Sequence, residues 1–152
     1  GEEFDLIPAG LGARDTLRFE AALPLYGHEI SESISPLEGG LEKFVSFKKG
    51  NFIGKDALKS QKEKGIDRKL VGFEMLDRGI AREGYEILVD GENIGYVTSG
   101  SYSPSLKKNL GMALIRTEYT RLDEEIDVVV RNRSLKAKLV ELPFYRKAYK
   151  DN

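Results

Sequence analysis

The sequence contains no cysteine, which removes disulfide frameworks, thiolate nucleophiles and cysteine-ligated metal together and leaves the redox compartment unwritten. Histidine occurs once, at position 28. With no second imidazole and no serine or cysteine beside it, His28 makes neither a metal pair nor a nucleophilic triad, although it is a side chain suited to proton transfer near neutrality. Charge of either sign is not in excess: 24 Lys and Arg face 25 Asp and Glu, for a net charge of -1. No basic field therefore points to nucleic acid, whereas a small anion held by local charges stays open. No apolar run approaches the roughly 20 residues that cross a bilayer, and the amino end lacks the basic-then-apolar pattern of a secretory leader. The expectation is a cytoplasmic protein with no membrane and no nucleic-acid partner.

What is present, over 152 residues, is enough for one ordinary domain or for a small domain with part of another. Residues 1–9 pair an acidic opening with Leu6, Ile7 and Pro8, and read as the end of an element already under way. The expectation is a piece of a longer protein. Gly10-Leu11-Gly12-Ala13-Arg14-Asp15 is a glycine loop releasing the chain into a short helix, with Asp15 or Thr16 expected to cap its first turn and Leu17, Phe19 and Leu23 to supply core surface. Ser31 to Pro36 reads as a surface loop. Alternation over Leu41-Glu42-Lys43-Phe44-Val45-Ser46-Phe47 predicts a half-buried strand. Phe52 to Gly65 has a helical, lysine-rich interior of surface character, with Gly65 at the carboxy-terminal cap.

After Gly65 the character changes to six short runs rich in β-branched residues: 68–75, 86–89, 93–99, 111–115, 127–130 and 135–142. Turn signals separate them, notably Asp90-Gly91 and Asn132-Arg133-Ser134, and no helix intervenes. This spacing predicts a small antiparallel barrel or sandwich over 66–152. Residues 1–65, with two helices and one strand, are too few to bury a core of their own.

Four places carry candidate chemistry. Gly10 and Gly12 allow close backbone approach while Arg14 offers a planar cation to a carboxylate or carbonyl; the plainer reading pairs Arg14 with Asp15, Glu20 or another acid. His28 is the second. The third is the hydroxyl-rich loop from Tyr96 to Asn109, which ends in Lys107 and Lys108: either an anion site or a turn braced by hydroxyls. The fourth is the terminal Leu142-Pro143-Phe144-Tyr145-Arg146-Lys147-Ala148-Tyr149-Lys150, where aromatics and cations interleave to suit a flat heterocycle or to tack down a last strand. No paired carboxylates make an acid–base arrangement, so the residues alone identify no catalytic group and no metal site.

Taken in order, the stretches Gly10 to Gly27, Ser35-Pro36-Leu37-Glu38-Gly39-Gly40-Leu41, Phe52-Ile53-Gly54-Lys55-Asp56-Ala57-Leu58, Arg68-Lys69-Leu70-Val71-Gly72, Gly79 to Glu86, Ile94-Gly95-Tyr96-Val97-Thr98-Ser99-Gly100, Ser103 to Asn109 and Leu142-Pro143-Phe144-Tyr145 resemble the aminomethyltransferase family, the folate-dependent T-proteins of the glycine cleavage system. The resemblance implies an α+β chain. A short helical and strand remnant of the folate-binding domain over 1–65 precedes a small antiparallel, jelly-roll-like β-barrel over 66–152. It implies transfer of the one-carbon unit from the aminomethyl-lipoyl arm of the H-protein to tetrahydrofolate, with release of ammonia and no metal. The family's catalytic aspartate lies in a part of the sequence that has no match here, so this chain alone is expected to be inactive. Arg14 matches the arginine that contacts folate in the family; Tyr149 and Arg146 are candidates for a tail residue near the folate. Sister folds, such as the folate-binding domain of a dimethylglycine or sarcosine dehydrogenase-type protein or an iron–sulfur assembly factor, and a non-catalytic binding module are the competing readings.

Overall fold

The computed structural model describes residues 2–146. Helix α1 (Leu11–Glu20) and helix α2 (Lys55–Lys64) come first, with a 3-10 turn at Glu42–Phe44 between them. Six strands follow: β1 (Arg68–Met75), β2 (Glu86–Val89), β3 (Glu92–Ser103), β4 (Lys108–Arg116), β5 (Glu125–Val130) and β6 (Arg133–Val140). They close into an antiparallel barrel in the order β1-β4-β3-β2-β5-β6, with β6 returning to β1. The chain is thus α+β with a small barrel.

Two of the connections are two-residue hairpins. Asp90 and Gly91 join β2 to β3 at φ of 50° and 82°, and Arg131 and Asn132 join β5 to β6 at 48° and 64°. Positive φ at both central residues is the type I′ geometry, whose twist matches that of the flanking strands. The second turn sits one residue earlier than its asparagine-arginine-serine wording suggests, and Arg133 is already in the ladder.

Side chains alternate about the barrel wall. Phe73, Ile87, Val97, Ile115, Ile126, Val128 and Leu139 fill its interior, each at most 1% exposed. Strand β4 is buried on both faces, because Leu110 and Met112 on its outer side pack under Phe19 of α1, with Leu142 and Phe144 closing the edge. The Phe19 and Phe144 rings lie 5.2 Å apart. One helix and the segment after β6 therefore share a second, smaller core on the outside of the barrel.

Three local expectations give way. The segment 41–47 is no strand: the Phe44 and Val45 amides bond to the Leu41 and Glu42 carbonyls, so the backbone closes on itself, and a strand without a neighbour has no ladder to hold it. Neither Asp15 nor Thr16 caps α1. The helix starts earlier, behind Gly10 and with Gly12 inside it; Asp15 accepts from Arg18, and the Thr16 hydroxyl donates back to the Gly12 carbonyl at 2.8 Å. Of the three apolar residues assigned to the core of α1, only Phe19 is buried, while Leu17 and Leu23 are exposed. Helix α2 lies on the surface with no buried residue and ends at Gly65, as its composition implies.

Gly111 pairs across the sheet with Phe73, and a Cβ placed on it would run into the Phe73 ring. Gly111→Ala is expected to destabilise by about 1–3 kcal/mol, the usual cost of overpacking a filled core. A lowered urea midpoint with unchanged slope checks this; an unchanged midpoint would mean that the ring swings aside freely.

Candidate functional site

The site begins with a tight turn after α1. The His28 and Glu29 amides both bond to the Leu25 carbonyl at 3.1 Å, and Gly27 adopts φ of 93°. The turn sends Glu29 inward, where it is fully buried, and leaves His28 at the surface of a cleft.

Buried carboxylates persist only when hydrogen-bonded and paired. Glu29 Oε2 accepts from Arg18 Nη1 at 3.0 Å and from the Leu25 amide at 2.9 Å, while Oε1 accepts from the Ser99 hydroxyl at 2.5 Å. Arg18 completes the ring by donating from Nη2 to Ser99 Oγ at 3.1 Å and from Nε to Asp15 Oδ1 at 2.7 Å. Helix α1, the 25–29 turn and strand β3 are thereby joined at one carboxylate.

A second buried acid fastens the end of the helix. Glu20 accepts from the Ser103 hydroxyl at 2.5 Å and from the Ser105 amide at 3.1 Å, and its own carbonyl accepts from the Tyr145 amide at 2.9 Å. Burial raises its carboxyl, but the bonds from Ser103 and Ser105 together outweigh burial and hold it below the usual carboxylate range. The hydroxyl-rich loop is therefore a braced turn and not a free anion site, and Lys108 is spent on Glu74 at 2.8 Å.

The cleft has a volume of about 190 Å³ and runs between α1 and the barrel, past Asp15, Arg18, His28, Arg82, Glu83 and Ser101. Arg14 lies one turn before Arg18 on the helix, exposed, without an ion pair among the described residues and outside the cleft lining. The acids proposed as its plain partners are occupied elsewhere: Asp15 by Arg18, Glu20 by two serines. Arg146 lines a different cavity, of about 380 Å³, between β1 and the segment after β6, and pairs there with Glu141. Arg14 and Arg146 are not gathered into one pocket, and Tyr149 lies outside the described residues. No group of three His, Asp or Glu side chains suited to a metal occurs among the described residues. Sequence reading missed Glu29 and took Glu20 only as a surface partner for Arg14, not as a buried acid. The signal was available, since each acid sits in an apolar setting, Phe19-Glu20-Ala21-Ala22 and His28-Glu29-Ile30.

Removing one partner of a buried pair costs more than the pair is worth. Glu29→Ala is expected to destabilise by about 3–5 kcal/mol, and Arg18→Met/Glu29→Met by clearly less than the two single losses added together, measured by denaturant unfolding; strict additivity would contradict a coupled ring. A second expectation concerns acid. The depressed Glu20 carboxyl adds stability above the unfolded carboxylate range, and that contribution disappears as pH falls through its folded value. Ser103→Ala should thus move the acid-unfolding midpoint to higher pH and leave stability near neutrality less affected than a deletion of Phe19 would.

Comparison with known proteins agrees with this architecture. Residues 68–146 match the family model of the glycine cleavage T-protein C-terminal barrel domain, and residues 1–49 match the GCVT N-terminal domain. An aminomethyltransferase from Thermoanaerobacter pseudethanolicus is 62% identical over 150 residues, covering 99% of this chain and 41% of the relative; one from a Geobacillus species is 57% identical over 149 residues, covering 97% and 41%. The crystal structure of glycine cleavage system aminomethyltransferase T from Bartonella henselae superposes with a TM-score of 0.85 at 30% identity, covering 90% of this chain and 39% of that one. The chain spans about two fifths of the length of these relatives. With its closed barrel matched along its whole length and α1 held against it, the chain belongs to the glycine cleavage T-protein family.

Proposed function

We propose that the chain serves as the carboxy-terminal portion of a tetrahydrofolate-dependent aminomethyltransferase. The full protein accepts the aminomethyl group carried on the lipoyl arm of the H-protein, passes its one-carbon unit to tetrahydrofolate and releases ammonia. The name shared by the relatives supports the transferase and does not favour the dehydrogenase-type reading. No helix among the described residues is long and apolar enough to cross a membrane, which is compatible with action in the cytoplasm.

One observation carries the part assigned to this chain. Arg14 stands uncommitted one turn before Arg18, on a helix that Arg18 locks to the barrel through Glu29 and Ser99. A guanidinium held on a rigid element and free of internal acids suits recognition of a carboxylate or a pterin carbonyl, because its planar donors lose little freedom on binding. In this reading Arg14 contacts folate, residues near the carboxy terminus such as Arg146 or Tyr149 approach it from the tail, and proton handling comes from the portion of the enzyme that precedes residue 1. Phe4, Leu6, Ile7, Leu11, Leu17 and Leu23, all before the barrel in sequence, are exposed apolar side chains that such a portion would cover. By itself the chain should be catalytically silent.

Calorimetric titration with tetrahydrofolate is the direct check, using this chain alone and then mixed with the preceding half of a matching T-protein. Binding is expected only in the mixture and should weaken by about tenfold or more in Arg14→Ala, as loss of one charged hydrogen bond implies. Absence of binding, with the two halves shown to associate, would overturn the role of Arg14.

A further inference from the structure

Helix α1 is fastened to the barrel through its last turn, while its first turn stands clear. Every residue from Leu11 to Asp15 is exposed, and a Cβ placed on Gly10 or Gly12 would have no neighbour within 4 Å. Arg14 is carried on this projecting end, roughly 6 Å further along the axis than Arg18 at the ordinary helical rise. The direction in which its guanidinium is presented therefore depends on how the far end of the helix is held.

Consecutive residues hold it, and they face different ways. Phe19 is buried with Leu110 and Met112 of β4. Glu20 accepts from the Ser103 hydroxyl and the Ser105 amide, at the end of β3 and just after it. Arg18 donates to the buried Glu29 at 3.0 Å and to Ser99 in the middle of β3 at 3.1 Å. At roughly 100° per residue, Arg18 and Glu20 leave the helix about 200° apart, so one polar tie lies on each side of the Phe19 contact. Apolar contact alone sets little direction, whereas charged hydrogen bonds on both sides of it hold the helix against rolling about its axis. Loss of either tie leaves the roll to Phe19 and one remaining carboxylate.

We infer, on the folate reading of Arg14 given above, that Glu29 is a positioning residue for that contact: by holding Arg18 it fixes the roll of α1 and so the aim of the Arg14 guanidinium. Glu29 has no exposure to solvent, so no ligand touches it, and what it contributes to binding passes through the helix. This sets a bound. A residue that acts by aiming another cannot contribute more than the group it aims, and it contributes nothing once that group is removed. A residue that merely supports the fold obeys neither limit.

Calorimetric titration with tetrahydrofolate, on this chain mixed with the preceding half of a matching T-protein, tests the coupling as a double-mutant cycle. Glu29→Gln keeps the shape of the side chain and removes its charge. It is expected to weaken binding by about threefold to tenfold, no more than Arg14→Ala does, and to have no further effect when combined with Arg14→Ala. Ser99→Ala, which leaves the Arg18–Glu29 pair in place, should give the same pattern at smaller size, and it decides the matter if Glu29→Gln fails to fold. Ile126→Val, which trims the barrel interior on a strand that pairs with neither β3 nor β4, should leave affinity unchanged. Unaltered affinity in Glu29→Gln, an equal loss with and without Arg14, or a like loss in Ile126→Val would each overturn the positioning role alone. Arg14→Ala without effect, or no binding by the unsubstituted mixture, would overturn the folate reading and the positioning role together.

Discussion

A carboxylate with no exposure to solvent sits between a helix and a barrel, and the arrangement of the amino-terminal third depends on it. Glu29 receives the Arg18 guanidinium, the Ser99 hydroxyl and the Leu25 amide. Without all of these donors its burial would be prohibitive; with them it becomes the point at which α1, the turn after it and β3 are set in register. Apolar contact alone would not do this. Phe19 on Leu110 and Met112 supplies attraction between helix and sheet but little direction, whereas a ring of charged hydrogen bonds admits one placement.

Most of the barrel is legible in the chain. Strands β1 and β2 run over the residues that their β-branched wording marks, because Asp90-Gly91 ends one of them with unmistakable turn chemistry. Strands β3 and β4 extend further than that wording. Both pass through glycines, Gly100 and Gly111, which are paired with each other across the sheet. Each gives up its side chain because another group occupies the space, the Ala81 carbonyl in one case and the Phe73 ring in the other. Close approach of distant segments has no local signature, so it is invisible to periodicity. The false strand over 41–47 fails for the complementary reason: alternation was present and a neighbour to pair with was not.

The site was legible in its types and not in its connections. Arg14, His28 and the serines of the 99–105 loop were all visible as polar groups in suggestive settings. What tied the serines to the amino-terminal segment was two glutamates, each reaching a serine 70 or more positions away in the chain. A lone acid in a short apolar context reads as a solvated charge until the fold brings its donors together. The outcome also divides the polar residues by task. Ser99, Ser103 and Ser105 are committed to structure, Arg18 with them, and this commitment is what leaves Arg14 and the His28 side of the cleft available.

The central claim is that Glu29 places α1 on a barrel that stands without it. Native-state hydrogen exchange on Glu29→Gln tests this most directly, because it reads helix and sheet separately in one experiment. The account predicts that amides of α1 and of the turn at 25–29 lose protection while those of β1, β4 and β6 keep theirs. Equal loss of protection throughout the chain, or unchanged protection in α1, would contradict it.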